Sequence, residues 1–310
     1  MSRTLSRPAG VLALAAALTM SLAGTAGVAS AGDSADSRVA SPSVTAGSVD
    51  RAKPVSGSST RGFAGSMVVA ESVIGADGRG RVKDTTGFPA RAIGQIDFSQ
   101  NGFNYICTGW LIDANTILTS GHCSYDADGI EGDIIESATF TAGRNGAVEP
   151  FASCPVYEVY APIEWRRDGS AADDWSIMQL GTSSAATCDI GDTVGWFGMS
   201  YRKGAKSLTD VKATVQGYPG DKKYGTQWTM SGKIKESTAS MVYYKMDTYG
   251  GQSGSPVFEP KGTRCGDTPC GMAVHSYGAG TAPSGGAANS GPRITKSRFA
   301  TITGYAAGNG

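Results

Sequence analysis

Short runs of β-forming residues, each closed off by Gly, Pro, Asn or Asp, follow one another through most of the chain. That punctuation constrains the fold more than any other feature. Such runs cover Tyr105 to Ile112, Thr116 to Thr119, Ala138 to Ala142, Ser176 to Leu180, Val194 to Met199, Val211 to Tyr218, Met241 to Met246, Pro256 to Glu259 and Met272 to Tyr277. Long amphipathic helices are absent, and only the tail, from Thr295 through Phe299 and Ile302, has apolar spacing compatible with a short closing helix. Many close-set strands with turn signals between them predict an all-β sandwich or barrels, and 310 residues leave room for two small barrels.

The N-terminus reads differently. Arg3 and Arg7 precede an apolar run from Val11 to Leu18, and small residues then lead to Ala29-Ser30-Ala31. This is the pattern of a secretory signal peptide cut after Ala31. A membrane span is opposed by Thr19, Ser21, Gly24 and Gly27, which interrupt the run before it could cross a bilayer. Residues 32–71, rich in Ser, Ala, Gly and Val, sustain neither helical nor strand periodicity and read as a propeptide or, more plainly, a flexible linker. The mature protein is expected to be secreted and free outside the cell. Lys plus Arg and Asp plus Glu each number 27, with no block of like charge, which argues against nucleic acid and against electrostatic adhesion to membranes.

All six cysteines lie beyond the signal segment, an even number in an oxidising compartment, so disulfides are expected. Of about 15 possible pairings, Cys265 with Cys270 is favoured by the short turn between them and Cys107 with Cys123 by the two strand-like runs they flank. Cys154 is left with Cys188. Cys123 adjoins His122, but in a secreted chain a bridge there is more natural than a catalytic thiol.

The chain has only two histidines, His122 and His275, so any histidine-dependent chemistry must use one of them. His122 ends a β-type run, in Leu118-Thr119-Ser120-Gly121-His122-Cys123, where a turn can present its ring at a surface. In Gly251-Gln252-Ser253-Gly254-Ser255-Pro256 a serine sits between glycines, which lets backbone amides close in on a substrate. Asp174, just before the apolar run Trp175 to Leu180, offers a carboxylate that burial would aim at an imidazole; Asp173 competes for that role. The order His122, Asp174, Ser253 is one of the arrangements of the hydrolase triad. The α/β-hydrolase order would need Ser253, Asp267 and His275, but position 255 is Ser where that motif has Gly, and about 22 residues cannot hold the intervening elements. No His-Glu-x-x-His is present, so neither a metal nor another cofactor is expected.

Thr119-Ser120-Gly121-His122-Cys123, Asp174-Trp175-Ser176-Ile177-Met178-Gln179-Leu180 and Gly251-Gln252-Ser253-Gly254-Ser255-Pro256-Val257 resemble the trypsin-like serine proteases and, more narrowly, the bacterial glutamyl endopeptidases. The likeness runs from Ser72-Val73-Ile74-Gly75 through Cys107-Thr108-Gly109-Trp110, Gly217-Tyr218-Pro219-Gly220-Asp221-Lys222 and Asp247-Thr248-Tyr249-Gly250 to Arg293-Ile294-Thr295-Lys296. It implies two six-stranded antiparallel β-barrels with the active site in the cleft between them. Residues 72–190, with His122 and Asp174, would form the first, and residues 191–310, with Ser253 and the S1 pocket, the second. Ser253 would be the nucleophile, His122 the base, Asp174 its orienting acid, and the amides of Gly251 and Ser253 the oxyanion hole.

The resemblance also places His275 in the S1 pocket with Thr248 as a second donor, and Ser276 and Gly278 on the strand edge that pairs with substrate backbone. A donor pair of this kind would recognise a P1 glutamate. Asp247, six residues before Ser253, stands where trypsin-type enzymes place the acid that attracts P1 Lys or Arg, and is expected to point elsewhere. The mature start at Ser72 follows Glu71, which implies self-cleavage at that bond. The expected partners are protein or peptide substrates and the expected state a monomer. Protease barrels also serve as catalytically inert binding proteins, which is the alternative from another class.

Overall fold

A computed structural model of the protein describes residues 73–127, 134–266 and 268–307. The signal peptide, the propeptide, and the processing positions Ala31, Glu71 and Ser72 lie outside these residues, as does Asp267.

After the two-residue strand β1 (Gly80–Arg81) come β2 (Ile93–Gln100), β3 (Phe103–Leu111), β4 (Thr116–Thr119), β5 (Ser137–Ala142), β6 (Ser153–Tyr160) and β7 (Ser176–Ser183). These last six are ordered β4-β3-β2-β5-β6-β7, and β4 pairs back on β7, which closes an antiparallel barrel. A two-residue strand β8 (Ala186–Thr187) folds back on the end of β7. Ile96, Leu111, Ile117, Phe140, Met178 and Leu180, all essentially inaccessible, fill the interior, as expected where strands alternate faces around a closed sheet.

The second sheet contains β9 (Gly198–Met199), β10 (Lys212–Gly217), β11 (Trp228–Ser237), β12 (Met241–Tyr244), β13 (Pro256–Glu259), β14 (Cys270–Val274), β15 (Tyr277–Thr281) and β16 (Ala287–Pro292). Its order is β15-β16-β12-β11-β10-β13-β14-β9. A bridge between Ala273 and Arg293, together with the Ile294 amide donating to the Met272 carbonyl at 2.7 Å, brings the end of β16 against β14. The six strands from β16 to β14 therefore also curl into a ring around Val215, Ile234, Val242, Tyr244, Val257 and Met272. A third apolar cluster joins the two sheets: Ile93, Trp110, Leu118 and Trp175 pack with Phe197, Tyr218 and Phe258. The Phe197 ring stands edge-on to both Trp110 and Phe258, at 5.3 and 5.2 Å, an arrangement that aromatic quadrupoles favour.

Three α-helices occur among the described residues: α1 (Ile163–Asp168), α2 (Gly191–Val194) and α3 (Lys296–Ala306). The last is the closing helix read from the tail, capped by the Thr295 side chain accepting from the Arg298 amide. It lies on the first barrel, with Tyr305 against Tyr160 (centroids 4.4 Å apart) and Arg298 paired with Asp173 at 3.0 Å. At the other end of the chain, β1 pairs with β11 of the second sheet. A division at residue 190 is thus too simple, because each chain end crosses to the half that its position in the sequence does not predict. The run Val194 to Met199, read as a strand, is also corrected: it holds the last residue of α2 and the short β9, since Gly195 (φ 75°) ends the helix and turns the chain. The pairs Cys107–Cys123, Cys154–Cys188 and Cys265–Cys270 are the disulfides, as their spacing predicts.

Candidate active site

His122 sits in a single 3-10 turn, Gly121–Cys123, at the end of β4. The carboxylate of Asp174 grips it twice. Oδ1 accepts the His122 backbone amide at 2.9 Å and Oδ2 meets Nδ1 at 2.8 Å. The Asp174 side chain is wholly buried, whereas 11% of the His122 side chain reaches solvent. A buried carboxylate in this position keeps a proton on Nδ1 and leaves Nε2 as the acceptor facing outward. Gly121 makes the approach possible, because a Cβ there would come within 2.9 Å of Asp174 Oδ1 and 2.8 Å of the Trp165 ring.

Asp173 faces a different way, accepting from Ser170 Oγ at 2.8 Å and from Arg298 at 3.0 Å. The two adjacent acids are thereby separated in role: Asp174 serves the imidazole, Asp173 ties down α3. Two aromatic rings frame His122, Trp165 at 6.2 Å and Tyr277 at 6.5 Å between centroids. Burial, the Asp174 charge and a hydrogen bond to Asp174 all push the Tyr277 phenol far above its usual range, so it stays a neutral donor. Neither ring was among the residues read from the sequence. The aromatic following His275-Ser276 was the only signal.

Ser253 arrives from the second barrel. Its carbonyl accepts the Thr108 amide of β3 at 2.8 Å, and only 5% of the residue is exposed. Gly254 (φ 88°) explains the neighbouring glycine: a Cβ would be driven into the Thr108 carbonyl and the Thr119 hydroxyl, both in the strands that lead to His122. The serine turn is therefore packed directly on the His122 strand. Gly251 (φ 99°) precedes it, with its carbonyl accepting from Thr108 Oγ1 at 2.9 Å.

Behind the site, Ser276 is fully buried and its hydroxyl donates to the Asp174 carbonyl at 3.0 Å. That hydroxyl also lies 2.9 Å from Ser120 Oγ, which in turn donates to the His275 carbonyl at 2.8 Å. The Ser276 side chain is thus a bolt between the barrels, and only its backbone is left for a strand-edge role. Gly278 follows on β15, buried beside it. His275 is also fully buried, with Nδ1 2.6 Å from the Tyr244 hydroxyl. Thr248 is buried too, and its hydroxyl has no hydrogen-bond partner among the described residues, an unusual cost for a buried donor. Asp247 does point elsewhere: Oδ1 accepts the Ile74 amide at 2.7 Å and Oδ2 the Gly78 amide at 2.8 Å.

Comparison with known proteins follows the same lines. The family profile described as trypsin-like peptidase domain matches residues 107–266. A glutamyl endopeptidase of Bacillus licheniformis is 42% identical over 76% of this chain and 69% of its own. A Bacillus subtilis protein named extracellular metalloprotease is 34% identical over 74% of this chain and 68% of its own. Among solved structures, a Glu endopeptidase in complex with MPD superimposes with a TM-score of 0.62 at 28% identity, covering 76% of this chain and 98% of that one. The Arthrobacter nicotinovorans protease Anisep shares the fold, with a TM-score of 0.56 at 20% identity, covering 72% of this chain and 98% of that one.

The metal in the Bacillus subtilis protein's name finds no fitting donor set here. Among the described residues the group that gathers three metal-type atoms is Cys107, His122 and Cys123, and both its sulfurs are spent on one disulfide. With the barrel topology, the paired imidazole and carboxylate, the matched profile and a relative at 42% identity, the chain is a serine endopeptidase that belongs to the trypsin-like peptidase family, in its glutamyl endopeptidase branch.

Proposed function

We propose that the mature chain is secreted as a monomer and cleaves protein or peptide substrates after glutamate, less readily after aspartate. The observation that carries the assignment of roles is the two-point hold of Asp174 on His122, beside a serine turn pinned to the same barrel. Ser253 Oγ attacks the scissile carbonyl as Nε2 of His122 takes its proton. The imidazolium, stabilised by Asp174, returns that proton to the leaving amine, and water then frees the acyl group by the same route. The amides of Gly251 and Ser253 receive the oxyanion.

Glutamate preference is supported by the donors around position 275. The Tyr244 hydroxyl lies 2.6 Å from Nδ1, and a hydroxyl that donates there leaves the ring's proton on Nε2. A P1 carboxylate would take that proton's hydrogen bond together with the orphaned Thr248 hydroxyl. The rival preference for Lys or Arg needs Asp247 in the pocket, and both of its oxygens are occupied by backbone amides. Maturation by cleavage between Glu71 and Ser72 belongs to the same reading. The test is a peptide panel differing only at P1 (Glu, Asp, Lys, Phe), with fluorophosphonate labelling of wild type and Ser253→Ala. Preferential Glu cleavage and labelling that vanishes in the variant are expected. Preference for Lys would overturn the specificity, and no labelling of the wild type would favour an inert binding protein.

A further inference from the structure

One buried cation takes no part in the chemistry so far. The side chain of Arg79, on the N-terminal segment just before β1, has no solvent exposure. Its guanidinium meets two carboxylates face to face. Nε and Nη2 donate to Asp77 Oδ1 and Oδ2, both at 2.9 Å, while Nη1 and Nη2 donate to Asp221 Oδ1 and Oδ2 at 3.0 and 2.5 Å. Two bidentate pairs on one arginine are a rigid joint. Nη1 also reaches Gln252 Oε1 at 3.3 Å, on the residue immediately before the nucleophile, and the same oxygen accepts the Tyr249 amide at 3.2 Å.

The joint bears on the oxyanion donor through one peptide group. Asp221 is fixed by Arg79, and the preceding Gly220 donates its amide to the Gly250 carbonyl at 2.6 Å. A trans peptide is planar with its N–H opposed to its C=O. Turning the Gly250 carbonyl toward Gly220 therefore turns the Gly251 N–H the other way. The next peptide is held from the far side, where Thr108 Oγ1 donates to the Gly251 carbonyl at 2.9 Å and accepts the Tyr218 amide at 2.9 Å. Residues 218–221 thus contact both peptides flanking Gly251, directly or through Thr108, and Arg79 is what locks that stretch to the N-terminal segment. At the start of the serine loop, Asp247 holds the same segment by the amides of Ile74 and Gly78.

We propose that Arg79 is a positioning residue: through Asp221 and Gly220 it sets the orientation of the peptide between Gly250 and Gly251, and so aims the Gly251 amide at the oxyanion. The proposal rests on the peptidase reading above and adds a residue that touches neither substrate nor nucleophile. Removing one oxyanion donor from a site of this kind lowers turnover by about 100 to 1,000-fold. Loosening a donor that remains present should cost part of that, about 10 to 100-fold in kcat, with KM changed less than about threefold.

The experiment uses the full-length chain, matured during expression, as wild type, Arg79→Met, Arg79→Lys and Asp221→Asn. Active sites are counted by fluorophosphonate titration, and kcat and KM are measured per titrated site on a P1-glutamate peptide, with Tm recorded in parallel. The expected result is a kcat loss in Arg79→Met and a smaller one in Asp221→Asn, KM nearly constant, and partial recovery in Arg79→Lys. If Arg79→Met melts earlier but turns over at the wild-type rate per site, the proposal is wrong and Arg79 is only structural. If Arg79→Met does not yield folded protein, Asp221→Asn decides on the same criterion. A wild type that neither labels nor cleaves would instead remove the peptidase reading itself.

Discussion

Replacing Asp174 by Asn tests the centre of the site most severely, because its two carboxylate oxygens have separate and incompatible duties. Oδ1 takes the His122 backbone amide and Oδ2 faces Nδ1. An asparagine must keep its carbonyl on the backbone N–H, which cannot rotate away, so its NH2 faces Nδ1. The ring then shifts its proton to Nε2, the atom that should receive the serine proton. To react, the variant must restore the Nδ1–H tautomer against the amide NH2. That forfeits a charge-assisted hydrogen bond, about 1.5–3 kcal/mol, and leaves a buried donor unpaired, about 1–3 kcal/mol. The sum, about 2.5–6 kcal/mol, corresponds to roughly a 70- to 25,000-fold fall in kcat at 1.36 kcal/mol per decade, a range that includes the roughly 10,000-fold that such a substitution costs in triads of this type. Stopped-flow acylation with a P1-glutamate ester would measure it at neutral pH, with circular dichroism to confirm folding. A folded Asp174→Asn enzyme within tenfold of wild type would refute the reasoning, because Nδ1 would then not depend on that oxygen.

Three further outcomes follow from the packing. Ser276→Ala leaves the Asp174 carbonyl without its 3.0 Å donor in a buried place, a loss of about 1–3 kcal/mol; at about 2–4 °C per kcal/mol for a chain of this size, calorimetry should show a lower Tm, and an unchanged Tm would deny the bolt. Closing loops of 5 and 34 residues restricts the unfolded chain by about 2 and 4 kcal/mol, so removing Cys154–Cys188 should lower the urea midpoint more than removing Cys265–Cys270, and the reverse order would count against the entropic account. Arg79 holds the Asp77 carboxyl well below the usual carboxylate range, so its contribution is complete above the unfolded value of about 3.9 and is lost as pH falls through the folded one. The stability gap between wild type and Asp77→Asn, read from urea titrations, should accordingly be wide and constant from pH 7 down to about 5 and begin to narrow only below the unfolded value of about 3.9; a gap independent of pH down to about pH 2 would contradict the assignment.

What the sequence disclosed was local, and what it concealed was not. The strand Thr116–Thr119, the turn carrying His122 and the disulfide Cys265–Cys270 are visible because their determinants lie within a few residues. Strand β2 was not among the runs, although Ile96 and Phe98 alternate with Asp97 and Ser99, because Gly94 and several polar residues dilute its apolar signal. Val194 to Met199 misled for the opposite reason: its apolar residues serve the contact between the barrels and not a long strand, with Phe197 buried and Trp196 exposed. The choice between Asp173 and Asp174 rested on analogy until the Arg298 contact 125 residues away separated them. Arg79 with Asp221, 142 positions apart, and Ser276 with Asp174, 102 apart, leave no periodic trace, since nothing in composition or spacing says that two distant loops will meet.

The crossing of the chain ends has a consequence for how the molecule comes apart. Strand β1 pairs with the start of β11 in the second sheet, and α3 lies across the first barrel. Each half is therefore finished with material drawn from the opposite end of the polypeptide. A fragment cut at the midpoint would lack its own lashing, and neither piece would be a self-sufficient building block that could be exchanged or expressed alone. Heating should dismantle both halves in one event.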